Sequence, residues 1–153
     1  MTFKNKFKFD SKPVRIFLLA LCVLLTFIMY MQRRTRNYYK QAAKLAFYNV
    51  QPADLADGTY RGKVYTQFMH VQLDVSVAGG RFTKIEIIEN EGAYGKKVAQ
   101  ILDQMIKENN SVVTAVKGEE LASIVFIACV DDALCNGLPE SRRKELKARN
   151  DDQ

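Results

Sequence analysis

Residues 70–89 read HVQLDVSVAGGRFTKIEIIE, and this stretch decides the fold. Val71, Leu73, Val75 and Val77 alternate with Gln72, Asp74 and Ser76, the period-two pattern of a strand with one buried and one wet face. Ala78-Gly79-Gly80 follows, and paired glycines between two β-prone runs signal a hairpin turn. Arg81 to Glu89 resumes as a strand, with Ile85 and Ile87 directed at the core. Upstream, Thr59 to Phe68 reads as a third strand that sets Tyr60, Gly62, Val64 and Phe68 on one face. Three consecutive strands with short turns specify an antiparallel meander.

Downstream the period changes. Val98, Ile101, Leu102, Met105 and Ile106 fall at i, i+3, i+4, i+7 and i+8, which predicts an amphipathic helix ending near Asn109-Asn110. Ser111 to Val116 is short and β-prone. From Glu119 a second helix is expected to run to about Leu134, almost wholly apolar between Leu121 and Val130. Ten apolar residues are too few to cross a bilayer, so this helix belongs at the centre of the fold. From Pro139 the chain reads PESRRKELKARNDDQ, a charged, solvated tail.

Working outward to the N-terminus, Ile16 to Met31 is IFLLALCVLLTFIMYM, with Thr26 its only polar residue. Pro13, Val14 and Gln32 extend the run, and Arg15, Arg33 and Arg34 can snorkel, so residues 13–32 read as a transmembrane anchor. No small-x-small cleavage site follows it. Leu19-Ala-Leu-Cys22 is no lipoprotein box, because Leu21 is too large before the cysteine and the apolar run continues for nine more residues, Thr26 its one polar member. Residues 1–12 form a basic tail, and residues 33–54 a juxtamembrane helix and linker. In that linker Asn37 to Tyr48 is helix-compatible, and Gln51-Pro-Ala-Asp breaks the pattern. Residues 55–138 form the folded domain and 139–153 the tail. The expected class is α+β: a small antiparallel sheet, a three-strand meander, covered by two helices and preceded by one N-terminal transmembrane helix.

The net charge of +6 conceals an asymmetry: residues 1–50 carry +9 and residues 51–153 carry −3. A nucleic-acid binder would carry its basic patch on the folded domain, so that class is set aside. The positive-inside rule sees five basic residues on each side of the anchor. Phe3, Phe7 and Phe9, interleaved with lysines, suit an anionic membrane surface, which favours the N-terminus inside the cell and the domain outside. The expected location is therefore the cell membrane, single-pass, with an extracytoplasmic domain.

Little chemistry stands out. The three cysteines, Cys22, Cys129 and Cys135, have neither metal nor redox spacing. His70 is the only histidine and has no cysteine or carboxylate at ligand spacing along the chain, so no metal is expected. Gly92-Ala-Tyr-Gly-Lys-Lys97 lacks the spacing of a phosphate loop and reads as a turn.

Several strings, taken in order, carry a resemblance. Asp57-Gly-Thr-Tyr-Arg-Gly62 looks like a "DGTYxG" strand, and Leu73 to Ile88 looks like a "V-x-V-x-x-G-x-I-x-x-I-x-I" hairpin. Lys96 to Ile106 matches an amphipathic helix. Val113-Thr-Ala-Val-Lys-Gly-Glu-Glu-Leu-Ala-Ser123, with Ala133-Leu134, lies where "V-D-A-V-S-G-A-T-x-x-S … A-L" is carried. Residues 55–138 thus resemble the FMN-binding domain family, relatives of the flavin-carrying subunits of bacterial sodium-pumping NADH:quinone reductases and Rnf-type complexes. In that family the threonine of Ser-Gly-Ala-Thr can carry FMN through a phosphoester. Here Lys117, Gly118, Glu119 and Glu120 stand in the motif, and Glu120 has no hydroxyl to esterify. Thr114 replaces the family's aspartate and Asn90 its histidine, whereas Gly118 and Ser123 match.

The resemblance implies a membrane-anchored electron-transfer module holding FMN non-covalently, a carrier rather than a catalyst. Gly118 would allow close backbone approach, Ser123 would hydrogen-bond the flavin, Lys117 would pair with phosphate charge, and Tyr94 or Phe126 would stack on the ring. Its partners would be the membrane and flavin or quinone redox proteins. Glu119 and Glu120 put two carboxylates in the helix-start anion seat, where they repel a phosphate. That favours the alternative, a flavin-free member acting as a membrane-anchored interaction or assembly domain.

Overall fold

Burial of one face of each strand produces the sheet, in a computed structural model that describes residues 12–92 and 97–151. The elements are α1 (Lys12–Ala42), β1 (Gly58–Tyr65), β2 (Met69–Ala78), β3 (Arg81–Gly92), α2 (Ala99–Glu108), α3 (Glu120–Gly137) and α4 (Glu140–Asp151), with a 3₁₀ turn at Pro52–Asp54 before β1. The chain divides between Asn37 and Tyr38 into two units.

The first unit holds most of α1. Its apolar side chains are exposed along the run, and the 31-residue helix is long and apolar enough to cross a membrane. Thr26 and Thr35 donate their hydroxyls to the carbonyls of Val23 and Met31, so neither polar group is left unpaired on the helix surface. The helix runs unbroken from Lys12 to Ala42, and the expected Asn37–Tyr48 helix is only its end. Beyond Ala42 the backbone donors turn elsewhere: the N–H groups of Tyr48 and Val50 go to the carboxylate of Asp131.

In the second unit the three strands pair antiparallel in the order β1-β2-β3, as the alternation predicts. Val71, Leu73, Val75 and Val77 are buried, and Gly62 and Val64 share their face. Phe68 is buried too, but from a turn: β1 ends at Tyr65 because the Thr66 hydroxyl accepts the N–H of Met69. β3 extends to Gly92 and carries two irregularities in its pairing with β2. Leu73 pairs with Ile87 while Gln72 pairs with Glu89, which leaves Ile88 as an extra residue; Thr83 is extra in the same way. Each bulge reverses which residues point inward. Phe82 is therefore buried, and Ile85 and Ile87 pack half-buried on the same core.

α3 is the centre of the domain, with thirteen buried residues. It packs against β1 and β2, and α2 packs against β3. The approach to β1 is close enough to require glycine: a Cβ on Gly62 would lie 2.0 Å from the Cys129 carbonyl oxygen and 2.9 Å from the Ala133 nitrogen. α3 also satisfies the free edge of β1. Lys63 N–H donates to Asp132 Oδ2 at 3.0 Å, and Asn136 Nδ2 donates to the Arg61 carbonyl at 3.0 Å.

α2 buries Ile101, Leu102 and Met105, with Val98 just before it, as its period requires. Asn109 ends it in the left-handed conformation (φ 51°) and ties it to the β2–β3 hairpin, accepting from Phe82 N–H at 2.9 Å. The β-prone stretch 111–116 joins no strand; Val113 is buried, and Val116 N–H is taken by Ser123. The charged tail is largely exposed but helical, braced by i,i+4 pairs Glu140–Lys144 (2.6 Å) and Glu145–Arg149 (3.2 Å). Leu146 is its contact with the core.

Gly62→Ala should destabilise the domain by at least about 1–3 kcal/mol, the cost of overpacking against backbone that cannot give way, read as a lower Tm. Asp131 offers a pH test. Burial pushes its carboxyl up, against the pull of the N–H groups of Tyr48, Asn49 and Val50. A carboxyl raised in the folded state binds more protons there than in the unfolded chain, so it contributes stability at acid pH that declines as pH rises from the usual carboxylate range through the raised value. Urea midpoints should fall across that window in the wild type, and Asp131→Asn should flatten that part of the profile.

Candidate functional site

The residues singled out at the start of α3 lie on one turn. Glu119 N–H donates to the Val116 carbonyl at 2.9 Å, closing a four-residue turn with Lys117 and Gly118 at its corners. Gly118 has φ +84°, the value that the third position of a type II turn demands and that a side chain resists. Lys117, Gly118 and Glu120 are exposed. Among the described residues other than its two chain neighbours, no atom lies within 4 Å of where a Gly118 Cβ would stand, and the corner is exposed.

The donors that would greet an anion here are met from within. Glu120 Oε1 accepts the Gly118 N–H at 2.8 Å. That bond, followed by one from its own N–H and the charge of Lys117, holds the Glu120 carboxyl below the usual range. One carboxylate oxygen of Glu119 is buried beside it without a hydrogen-bond partner among the described residues. Glu120 therefore sets a carboxylate at the positive end of the α3 dipole, a position that suits an anion.

Ser123 and Phe126 are placed deeper. The Ser123 hydroxyl is wholly buried, accepting the Val116 N–H at 3.0 Å and donating to the Glu119 carbonyl at 2.8 Å. It clasps the turn to the helix and has no donor to spare. Phe126 is fully buried in the core and presents no ring face to a ligand. Tyr94 lies outside the described residues. In this conformation Glu120 takes the Gly118 N–H, the Ser123 hydroxyl is engaged within the turn, and the Phe126 ring belongs to the core.

A second concavity of about 220 Å³ opens at the edge of β1, lined by Leu45, Ala46, Tyr48, Lys63, Val64, Tyr65, Ala128 and Asp132. Its wall is the segment after α1, held down by Asp131, and its floor is α3. Its lining mixes aliphatic side chains with two tyrosines, one lysine and one aspartate.

The buried thiols are not nucleophiles. Burial pushes Cys129 up to about 12, and its thiol donates to the Val71 carbonyl at 3.4 Å; burial raises Cys135 as well.

Sequence reading missed one juxtaposition. His70, isolated along the chain, stands opposite Glu91 across β2 and β3, with Glu89 beside it. Only the strand register reveals these neighbours, since they are nineteen and twenty-one positions away in the sequence. No protein-family model matches this chain, and no curated protein matches it in sequence.

Ser123→Ala should cost about 1–3 kcal/mol by stranding the Val116 N–H, seen as a lower Tm and faster exchange of that amide. Ellman's reagent should label neither Cys129 nor Cys135 until guanidinium unfolds the domain.

Proposed function

We propose that this chain is a single-pass membrane-anchored interaction domain of the flavin-free kind, which positions a partner protein at the membrane rather than carrying out a reaction. The observation that carries this reading is the internal cap at α3, in which Glu120 occupies the anion seat with a 2.8 Å bond to Gly118 N–H. α1 supplies the anchor, since it is long and apolar enough to cross a bilayer. The groove between the 45–48 segment, β1 and α3 is the natural place for a partner's chain, with Lys63 and Asp132 to orient it. The basic N-terminal tail belongs inside the cell and the domain outside.

The second reading is a non-covalent FMN carrier working with flavin or quinone redox proteins. The open, exposed corner at Lys117-Gly118 favours it, because it leaves room for a phosphate beside a cation. It requires Glu120 to leave its cap.

The two readings separate on one experiment. Full-length protein in detergent is incubated with FMN, desalted and scanned. The interaction reading expects a colourless wild type; a retained flavin band, released on denaturation, establishes the carrier instead. Photo-crosslinking in native membranes tests the groove: a probe at Ala46 should give one discrete adduct that a probe at Lys84, on the opposite sheet face, does not.

A further inference from the structure

The wet face of the sheet carries rows of cross-strand partners, and most are mutually satisfied. Thr59 bonds Ser76 at 2.9 Å, Arg61 grips Asp74 with two bonds of 2.7 Å, and Lys84 pairs with Glu86 at 2.8 Å. One corner breaks this pattern. His70, Glu89 and Glu91 converge there, and their ligand-capable atoms all lie within 4.8 Å of one another. Neither glutamate has a cationic partner among the described residues.

The backbone creates this corner by a specific device. Ile85, Ile87, Glu89 and Glu91 share one parity along β3, so a regular strand would turn all four to the same face. The two isoleucines pack on the core. The extra residue, Ile88, switches the parity, so Glu89 pairs with Gln72 and Glu91 with His70 on the wet side. One inserted residue thus serves the core and delivers two carboxylates to the histidine. Tyr65 stands on the far side of His70, its ring edge-on at 5.3 Å between centroids and 77° between planes, which helps fix the imidazole plane.

We propose that His70, Glu89 and Glu91 form a binding site for a first-row divalent cation, of which Zn²⁺ is the best fit. One imidazole nitrogen and two carboxylate oxygens are ligands that zinc accepts at about 2.0–2.2 Å, which places tetrahedral ligands about 3.4 Å apart. The ligand atoms lie within 4.8 Å of one another, and glutamate side chains have the torsional freedom to draw them closer. Three protein ligands at an exposed strand pair leave a further position open to solvent. The site therefore suits a cation that is sensed, exchanged or shared with a second ligand more than one locked in as a structural centre. It lies on the sheet face opposite the core, does not involve the α3 turn, and is independent of the interaction reading.

The test is calorimetric titration of Zn²⁺ into the full chain in detergent, free of any histidine tag. One ion per chain is expected, with affinity reduced about tenfold or more by His70→Ala and in the same direction by Glu91→Gln, while Glu86→Gln, on the same face, leaves it unchanged. Far-UV circular dichroism checks that each variant is folded. Paramagnetic Mn²⁺ added to the wild type supplies a readout that needs no variant: amide signals around His70 and Glu91 should broaden first. Absence of saturable Zn²⁺ binding, undiminished affinity in folded His70→Ala, or broadening centred elsewhere overturns the proposal.

Discussion

The structure depends on a helix that has no polar side. α3 buries thirteen residues, and a helix apolar all round must be enclosed rather than merely laid on a surface. Burying Leu121, Val125, Phe126, Val130 and Leu134 at about 1.5–3 kcal/mol each yields a term comparable to the whole net stability of a small domain. A three-strand sheet covers only one side of such a helix. Val113, Val50 and Leu138 from loops join the same buried core, and Leu146 of α4 packs against it. Elements that read as linker or tail are thereby drawn into the core.

The polar residues of α3 decide how that enclosure is organised. Asp131 is nearly fully buried yet retained, because it holds the N–H groups of Tyr48 and Val50, backbone that leaves the helix ladder after α1. The next residue, Asp132, and Asn136 one turn beyond it occupy the free edge of β1. Removing water from a carboxylate costs several kcal/mol, so such groups persist only where backbone donors replace the lost hydration. Gly62 completes the arrangement by letting the helix backbone come within reach of those bonds.

The candidate sites, by contrast, lie where local structure departs from regularity. The Lys117-Gly118 turn presents an open corner, but Glu120 and Ser123 satisfy its donors internally. The bulge at Ile88 re-aims Glu89 and Glu91. The first feature is a turn whose Gly118 and Val116 N–H groups are already taken. The second places beside the only histidine two glutamates that have no cationic partner among the described residues. Both depend on single residues that no composition or charge count distinguishes.

The sequence by itself determined the α+β class, the three-strand meander, the amphipathic α2, the buried α3 and the apolar N-terminal helix. Each rests on a period of two or near 3.6, or on a long apolar run, and such signals are local. The tertiary structure alone decided that α1 continues to Ala42, that the charged tail is a helix anchored by Leu146, and that 111–116 forms no strand. It also decided that Ser123 and Phe126 belong to the core. These outcomes turn on which distant group takes a given backbone N–H or covers a given side chain. His70 and its two glutamates are the clearest case, because a bulge changes which face a residue occupies and nothing in the alternation of one strand announces where its partner inserts the extra residue.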